Sequence, residues 1–451
     1  MSVTQSIERY QQILEEEVPR LGKQLGAVKR KRKGGLDLVT LVATIIFGFW
    51  QVPDARLDTL AQIAARRQVL VTASAICQRF SQELAEVLLA VLQRLVQVEV
   101  RSPAVEIGWL KQFAAVVAED SSTVSLPESL IGWWRGCGAV GRTSAAAVKL
   151  FVRWDVLTGQ VHGPRLSDAR TKDHRSPFSV NELLPGSLYL ADLGFFGLKR
   201  LYDLARGWGT GAGNKRFFVT RWQPTTRLYT RSGHLLQMEG LLPQQVGQVR
   251  EIGVILGKQW PQALRLILVR VPEEVAEQRR ERIRQTAADH GRQPSERLLL
   301  LACWTIVLTN LPAKRADFCQ VLVLLRLRWQ IERLFRLWKQ DGLIDEWRGK
   351  KPMRILCEFY GKLCAMVIQS ALLQEGCWLD PLRSMVKAAC ALRHEVNRLM
   401  LAFYEGTVSQ TVASIVCSLR AGCRIDRRAA HPSTAQLLLD GLDWQLDLLL
   451  T

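Results

Sequence analysis

Apolar and polar positions change texture several times along the chain. Residues 1–35 open at amphipathic helical spacing and close on a basic run, Lys29-Arg30-Lys31-Arg32-Lys33, before Gly34-Gly35. That run reads either as a solvated linker or as a contact for phosphate. Residues 36–100 read as helices. Asp58 is placed to cap a helix reaching about Arg67, and Val71-Thr72 leads into a second helix from Ser74 to about Val96. Two helices across a short turn suggest a helix-turn-helix, with Gln78 and Arg79 early on its second helix. A helical hairpin that binds nothing fits the same pattern.

Near residue 105 the pattern turns to strands. Residues 113–119, FAAVVAE, predict a buried strand closed by Asp120-Ser121-Ser122. Residues 146–155 and 160–165 predict a hairpin across Thr158-Gly159. Residues 187–192, SLYLAD, predict a short strand ending in Asp192, then Gly194-Phe195-Phe196 and a helix to about Ala205. Residues 206–312 carry strand-like runs at 216–221, 249–256, 264–271 and 298–309, with a charged helical stretch at 273–297. This block reads as a mainly β insertion. From Lys314 the chain is helical again; 317–340 is predicted as one long helix, and 350–451 continue as helices. No internal repeat stands out. The expected division is a helical N-terminal region at 1–105 that binds DNA, an α/β core in two parts at 106–205 and 313–375, the insertion at 206–312, and a helical C-terminal region at 376–451.

Composition narrows the function. Of 451 residues 48% are hydrophobic, which excludes a disordered chain. Lysine plus arginine is 61 against 42 acids, a net charge of +19, and such an excess points to a polyanionic partner. An anionic membrane surface is the rival. The apolar runs at 38–50 and 298–309 fall short of the about 20 residues of a span, so no membrane insertion is expected. The polar, acidic N-terminus does not read as a signal peptide. Ten cysteines without a CxxC pair or zinc spacing suit a reducing compartment, the cytoplasm.

The candidate chemistry lies in the long helix and the two strand ends. On one continuous helix, Leu325, Arg328, Glu332 and Lys339 share a stripe about 60° wide. Glu332 is the only acid in 321–340, against five basic residues. An ordinary Arg328–Glu332 ion pair accounts for part of this; a station for metal and phosphate accounts for Lys339 as well. Asp120 and Asp192, each alone, read as turn formers. With Glu332 they form a candidate set of oxygen ligands for hard divalent ions, which in pairs activate water and steady a leaving oxygen.

With these residues in view, the chain resembles the DDE transposases of bacterial insertion sequences, in the insertion-sequence-four group. AEDSSTVSLP (118–127) is similar to the segment with the family's first aspartate, and LADLGFF (190–196) to that with the second. VLTNLP (307–312) is similar to the strand leaving the β insertion. Leu325, Arg328, Glu332 and Lys339 keep the spacing of the family's Tyr-x2-Arg-x3-Glu-x6-Lys signature, with leucine in place of tyrosine. Glu119 is the alternative to Asp120 as ligand, and neighbours on a strand face opposite ways. The likeness runs from about residue 110 to 370.

The resemblance implies an RNase H-like catalytic core with a mainly β insertion, flanked by helical N- and C-terminal regions. It implies a magnesium-dependent cut-and-paste transposase of an insertion sequence. Asp120, Asp192 and Glu332 would be catalytic and hold two Mg²⁺, with Mn²⁺ as substitute, and Arg328 and Lys339 would bind DNA. Water would free a 3′ hydroxyl at the element end, which then attacks the opposite strand in a hairpin route, and later target DNA. The implied partners are the element's terminal inverted repeats, target DNA and a second copy of the chain, in a bacterial cytoplasm on the nucleoid. The insertion would steady a flipped base or hairpin by stacking, with Trp222 and Trp304 as candidates that read equally well as core aromatics. Alternatives are a catalytically inactive or repurposed DNA-binding protein of the same fold, supported by Leu325, and a nuclease that cuts without joining.

Overall fold

The computed structural model describes residues 1–27, 35–105, 107–138, 145–207, 215–289, 291–378, 380, 382–426 and 434–439. The basic run at 29–33 lies outside them, as does the end of the expected C-terminal helical region, 440–451. The chain opens with helices α1 (Val3–Gln12), α2 (Val18–Gln24), α3 (Leu38–Gln51), α4 (Leu57–Ala65), α5 (Ala73–Cys77) and α6 (Gln82–Leu95). Strands β1 (Val116–Leu126), β2 (Ala146–Asp155), β3 (Val161–Asp168) and β4 (Leu188–Ala191) follow, then α7 (Leu198–Arg206) and β5 (Phe217–Arg221). Next come β6 (Leu228–Tyr229), β7 (Val249–Leu256), β8 (Gln262–Arg270), α8 (Glu273–Asp289), α9 (Glu296–Leu301) and β9 (Trp304–Thr309). The chain then runs through α10 (Phe318–Leu327), α11 (Gln330–Arg336), α12 (Pro352–Leu373), α13 (Met385–Glu405), α14 (Val408–Ala421) and α15 (Thr434–Leu439).

These elements form two compact units, one from 1–106, 121–171 and 331–426, the other from 107–120, 172–330 and 427–451. The first unit is organised by α12, which is apolar on nearly every side and therefore needs burial all round. Its residues from Ile355 to Leu373 are buried, with α3, α6 and α1 packed on it. The Pro352–Trp378 helix is long and apolar enough to cross a membrane by length and composition, and its apolar window is wholly buried in this unit. Trp50 Nε1 donates to Gln369 Oε1 on α12 at 2.8 Å. Polar N-caps start the surrounding helices: Asp37 for α3, Thr72 for α5 and Ser81 for α6. The predicted hairpin is present as β2 and β3. Its turn glycine, Gly159 (φ +76°), faces Trp378, whose Nε1 donates to Val156 O at 2.9 Å and whose ring lies 4.4 Å from that of Trp154.

In the second unit the strands follow the order β1-β4-β5-β9-β8-β7-β6. β1, β4 and β5 are parallel. β9 joins β5 antiparallel, and β8, β7 and β6 continue antiparallel. Asn310, just past β9, pins this junction: Phe218 N donates to its Oδ1 at 2.8 Å, and its Nδ2 donates to Arg216 O at 2.8 Å. β5, which the sequence set at the head of the insertion, thus pairs in parallel with β4. α8 is polar on nearly all sides and is laced by Arg280 and Arg284, which bond Glu273 and Glu277 at 2.7–2.8 Å.

Four expectations are corrected. β1 does not stop at Asp120 but runs on to Leu126, because Ser121, Ser122 and Thr123 stay extended. The strand expected over 298–309 begins at Trp304; residues up to Leu301 are helical behind the Ser295 cap. The helix expected from Ser74 to Val96 is two helices, so Gln78 and Arg79 lie in the turn between them, and Arg79 Nη1 donates to Leu36 O at 2.8 Å. The helix expected over 317–340 is broken. The Trp329 N–H turns back to Arg326 O at 3.0 Å, α11 restarts at Gln330, and Leu337–Asp341 is a π-helix. A tightened turn followed by a widened one cancels the uniform 100° step on which the four-residue stripe was built.

Candidate active site

The parallel pairing of β1 with β4 aligns Ala118 with Leu190 and Glu119 with Ala191. One residue beyond that paired stretch stand Asp120, within β1, and Asp192, just past the end of β4. Period-two alternation then sorts the acids by face. Glu119 points with Tyr189 into the core: it is 0% exposed, and Arg200 Nη2 reaches its Oε2 at 2.8 Å and Tyr189 Oη at 2.9 Å. Burial works against the Arg200 charge, but Tyr189 and Glu119 outweigh it and hold its pKa above the ordinary arginine value. Glu119 is therefore committed to α7, and the alternative ligand assignment loses its geometry.

Asp120 is on the other face, half-buried, with Arg328 Nη1 at 3.8 Å from its Oδ2. Asp192 is exposed at the head of the Leu193–Phe195 turn, and its side chain makes no capping bond there. Gly194 lets that turn close up: a Cβ there would sit 2.6 Å from the Asp173 carboxylate. Asp173 was not singled out in the sequence; its only signal is proximity to the second aspartate's turn, which spacing does not reveal.

Glu332 stands half-buried in the first turn of α11, where helix N–H groups favour an anion. It belongs to the first unit, as does Lys339. Lys339 Nζ donates to Thr123 O at 3.2 Å, within the part of β1 that belongs to this unit, and lies 3.6 Å from Asp345 Oδ2. Leu325 is half-buried on α10.

The structure thus sets Asp120 and Asp192 each one residue past the paired stretch of β1 and β4, with Arg328 beside Asp120. Among the described residues no three His, Cys, Asp or Glu side chains are gathered as a metal-holding group. The aspartate pair nevertheless fits a hard dication: its donors are all oxygen, they stand just past a paired stretch of adjacent strands, and one of them is solvent-open. Of the two tryptophans, Trp304 is structural. Its Nε1 donates to Pro243 O at 2.8 Å, and the Arg270 guanidinium covers its ring at 4.5 Å. Trp222 lines a cavity of about 250 Å³ with Arg227, Leu235, Met238 and Arg297, and its buried Nε1 meets no acceptor.

Comparison with known proteins gives the family. The family model described as a transposase DDE domain matches residues 111–368. The chain is similar to the transposase for insertion sequence element IS231B of Bacillus thuringiensis subsp. berliner, at 26% identity over 374 residues, 78% of this chain and 76% of that one. It is also similar to the transposase for IS231C of the same subspecies, at 26% over 390 residues, 81% and 79% of the two chains. The transposase for IS1151 of Clostridium perfringens is 24% identical over 279 residues, 58% and 57%.

Proposed function

The chain belongs to the DDE transposase family and is an insertion-sequence transposase, an enzyme that cuts and joins DNA; from that premise we propose that Asp120, Asp192 and Glu332 are its catalytic acids. The observation that carries this reading is the parallel pairing of β1 with β4, which ends at Glu119 and Ala191, one residue short of each aspartate. Two acids so placed suit a bound cation. Divalent-metal dependence goes with the family; Mg²⁺, with Mn²⁺ as substitute, is the ion proposed here. Bound by these carboxylates, the ion would help ionise water and neutralise charge building on the phosphate.

The chain's own residues would do the rest. Asp120 is fixed by its strand, Asp192 by the turn it heads and Glu332 by a helix turn, so each side chain starts from a held backbone. Arg328 grips a phosphate in two-point contact, and Lys339 adds a point charge. A first step breaks the strand at the element end and leaves a 3′ hydroxyl. That hydroxyl then attacks the opposite strand, closing a hairpin, and after reopening attacks target DNA. Trp222, in its cavity, is the proposed stacking face for a base displaced in that hairpin, worth about 1–3 kcal/mol. The proposed scaffold is an RNase H-like core at 106–205 and 313–375, interrupted by the 206–312 insertion. The helical region at 1–105 would bind DNA, and two copies would pair the two ends, in the cytoplasm on the nucleoid.

The test is cleavage of a DNA carrying the inverted repeats that flank the gene, with Mg²⁺, by the parent and by Asp120→Asn, Asp192→Asn and Glu332→Gln. The parent should nick at the repeat ends while the three variants bind the same DNA without nicking. Parent-level cleavage by any variant removes that residue from the assignment. If the parent binds and never cuts, the catalytic reading falls and the inactive DNA-binding alternative, which Leu325 at the family's tyrosine position supports, takes its place.

A further inference from the structure

Lys362 is a buried lysine for which the reaction above has no use. It is 1% exposed on α12. Its Nζ donates to Leu343 O at 3.0 Å, Glu346 O at 2.7 Å and Glu358 Oε1 at 2.9 Å. A buried ion pair is poor at adding stability, since desolving both charges opposes their attraction. Glu358 is moreover incompletely met: its Oε2 is buried with no partner. An apolar pair would fill this site with less conflict, so what Lys362 holds matters more than its charge.

It holds a turn. The two carbonyls lie just beyond the π-helix that carries Lys339, and Leu343 there adopts φ +44°, a left-handed backbone that a leucine rarely accepts unaided. The turn is tied at its start by Arg393, whose Nη2 lies 2.6 Å from Asp341 O and 2.5 Å from Asp341 Oδ1. It presents Asp345, 3.6 Å from Lys339 Nζ. Every residue of this linkage belongs to the first unit.

We propose that Lys362, seated on Glu358, is a positioning residue: it fixes the 342–346 turn from beneath so that Asp345 and the Thr123 carbonyl aim Lys339 at a DNA phosphate. This rests on Lys339 being a phosphate contact. The experiment is binding of the full chain to a duplex bearing the flanking terminal repeat, titrated against salt. Lys339→Ala removes one phosphate contact and should lower the slope of log K against log salt by about 0.9. Lys362→Met should lower it by the same amount, and the double variant by no more than either alone.

A merely structural lysine would lower the melting temperature, leave the salt slope intact and add its effect to that of Lys339→Ala; that result overturns the proposal. An unchanged slope in Lys339→Ala sinks the phosphate reading and the proposal together. A changed slope there with none in Lys362→Met sinks the positioning role alone. Where Lys362→Met does not fold, Lys362→Gln and Asp345→Asn, at the two ends of the same linkage, are read in its place. Lower slopes support the proposal and intact slopes in both overturn it.

Discussion

The strand ends of the second unit and the turn under α11 in the first treat charge in opposite ways. Asp120 and Asp192 each stand one residue past the paired stretch of β1 and β4, one half-buried against Arg328 and the other open to solvent. Lys362 is the reverse: every bond its ammonium makes is to the protein, out of water. Glu119, one residue from Asp120, follows the second pattern through Arg200. The difference separates two tasks. Charge answered within the chain fixes geometry. Charge exposed to solvent, as at Asp192, is open to something from outside, here the proposed cation and the phosphate it accompanies.

The largest effect should come from the open pair. Asp192→Asn is expected to lower end cleavage by about 10³-fold or more, some 4 kcal/mol in barrier. It should also leave folding stability within about 0.5 kcal/mol. Single-turnover cleavage beside urea unfolding reads both. A large loss of stability would mean that Asp192 is a scaffold residue, and the contrast would collapse.

Glu119→Ala should invert that result. It leaves the Arg200 guanidinium, 11% exposed, beside an empty site, and breaking a buried pair costs about 3–5 kcal/mol. Urea midpoints would show it. Cleavage per folded molecule should fall far less than in Asp192→Asn. Equal losses of cleavage would show that Glu119 serves the reaction as Asp192 does.

Much of the acid pair was legible. Two short apolar runs each led to an aspartate, and that local pattern survives in β1 and β4. Their alignment was not, because register is set by pairing partners distant in sequence. Asp120 also misled, since Ser121-Ser122 read as a turn while the strand runs on. The helix break at Arg328-Trp329 left no mark either: no glycine or proline stands there. Lys362 had one readable sign. Past Arg354, it and Glu358 are the only charges in the apolar run to Leu373, four residues apart. Its other partners are backbone carbonyls, which no residue pattern discloses.

Two glycines sharpen the comparison at smaller scale. At Gly159 a Cβ would meet the Trp378 ring at 2.4 Å in a left-handed turn, and that ring is held by Trp154 and Val156 O. Gly159→Ala should therefore cost about 1–3 kcal/mol, as overpacking and φ strain combine. At Gly194 the obstacle is the Asp173 carboxylate, the end of a side chain that can turn away, and φ is not positive. Gly194→Ala should cost less stability and more cleavage, since it moves the turn that Asp192 heads. Thermal melts and nicking rates on the same two variants decide it; the opposite ranking would exchange the roles of the two regions.

The smallest effect tests whether pairing alone, without burial, makes charge structural. Arg348 Nη2 donates to Asp54 Oδ2 at 2.6 Å, and both side chains are exposed. The hydrogen bond from Arg348, opposed by slight burial and helped by its charge, holds the Asp54 pKa below the usual carboxylate range. A pKa lower in the folded state contributes stability above the unfolded value, about 3.9, and that contribution is lost as pH falls through the folded pKa. Solvent screens an exposed pair, so Arg348→Ala should remove no more than about 0.5 kcal/mol of stability at pH 7, and less once Asp54 is protonated and only the Arg348 bond to the Asp54 carbonyl is left to lose. Urea unfolding at pH 7 and below pH 3 measures the difference. If it approaches the cost of Glu119→Ala, burial is not what sets the inward-facing charges apart, and the distinction has to rest on geometry alone.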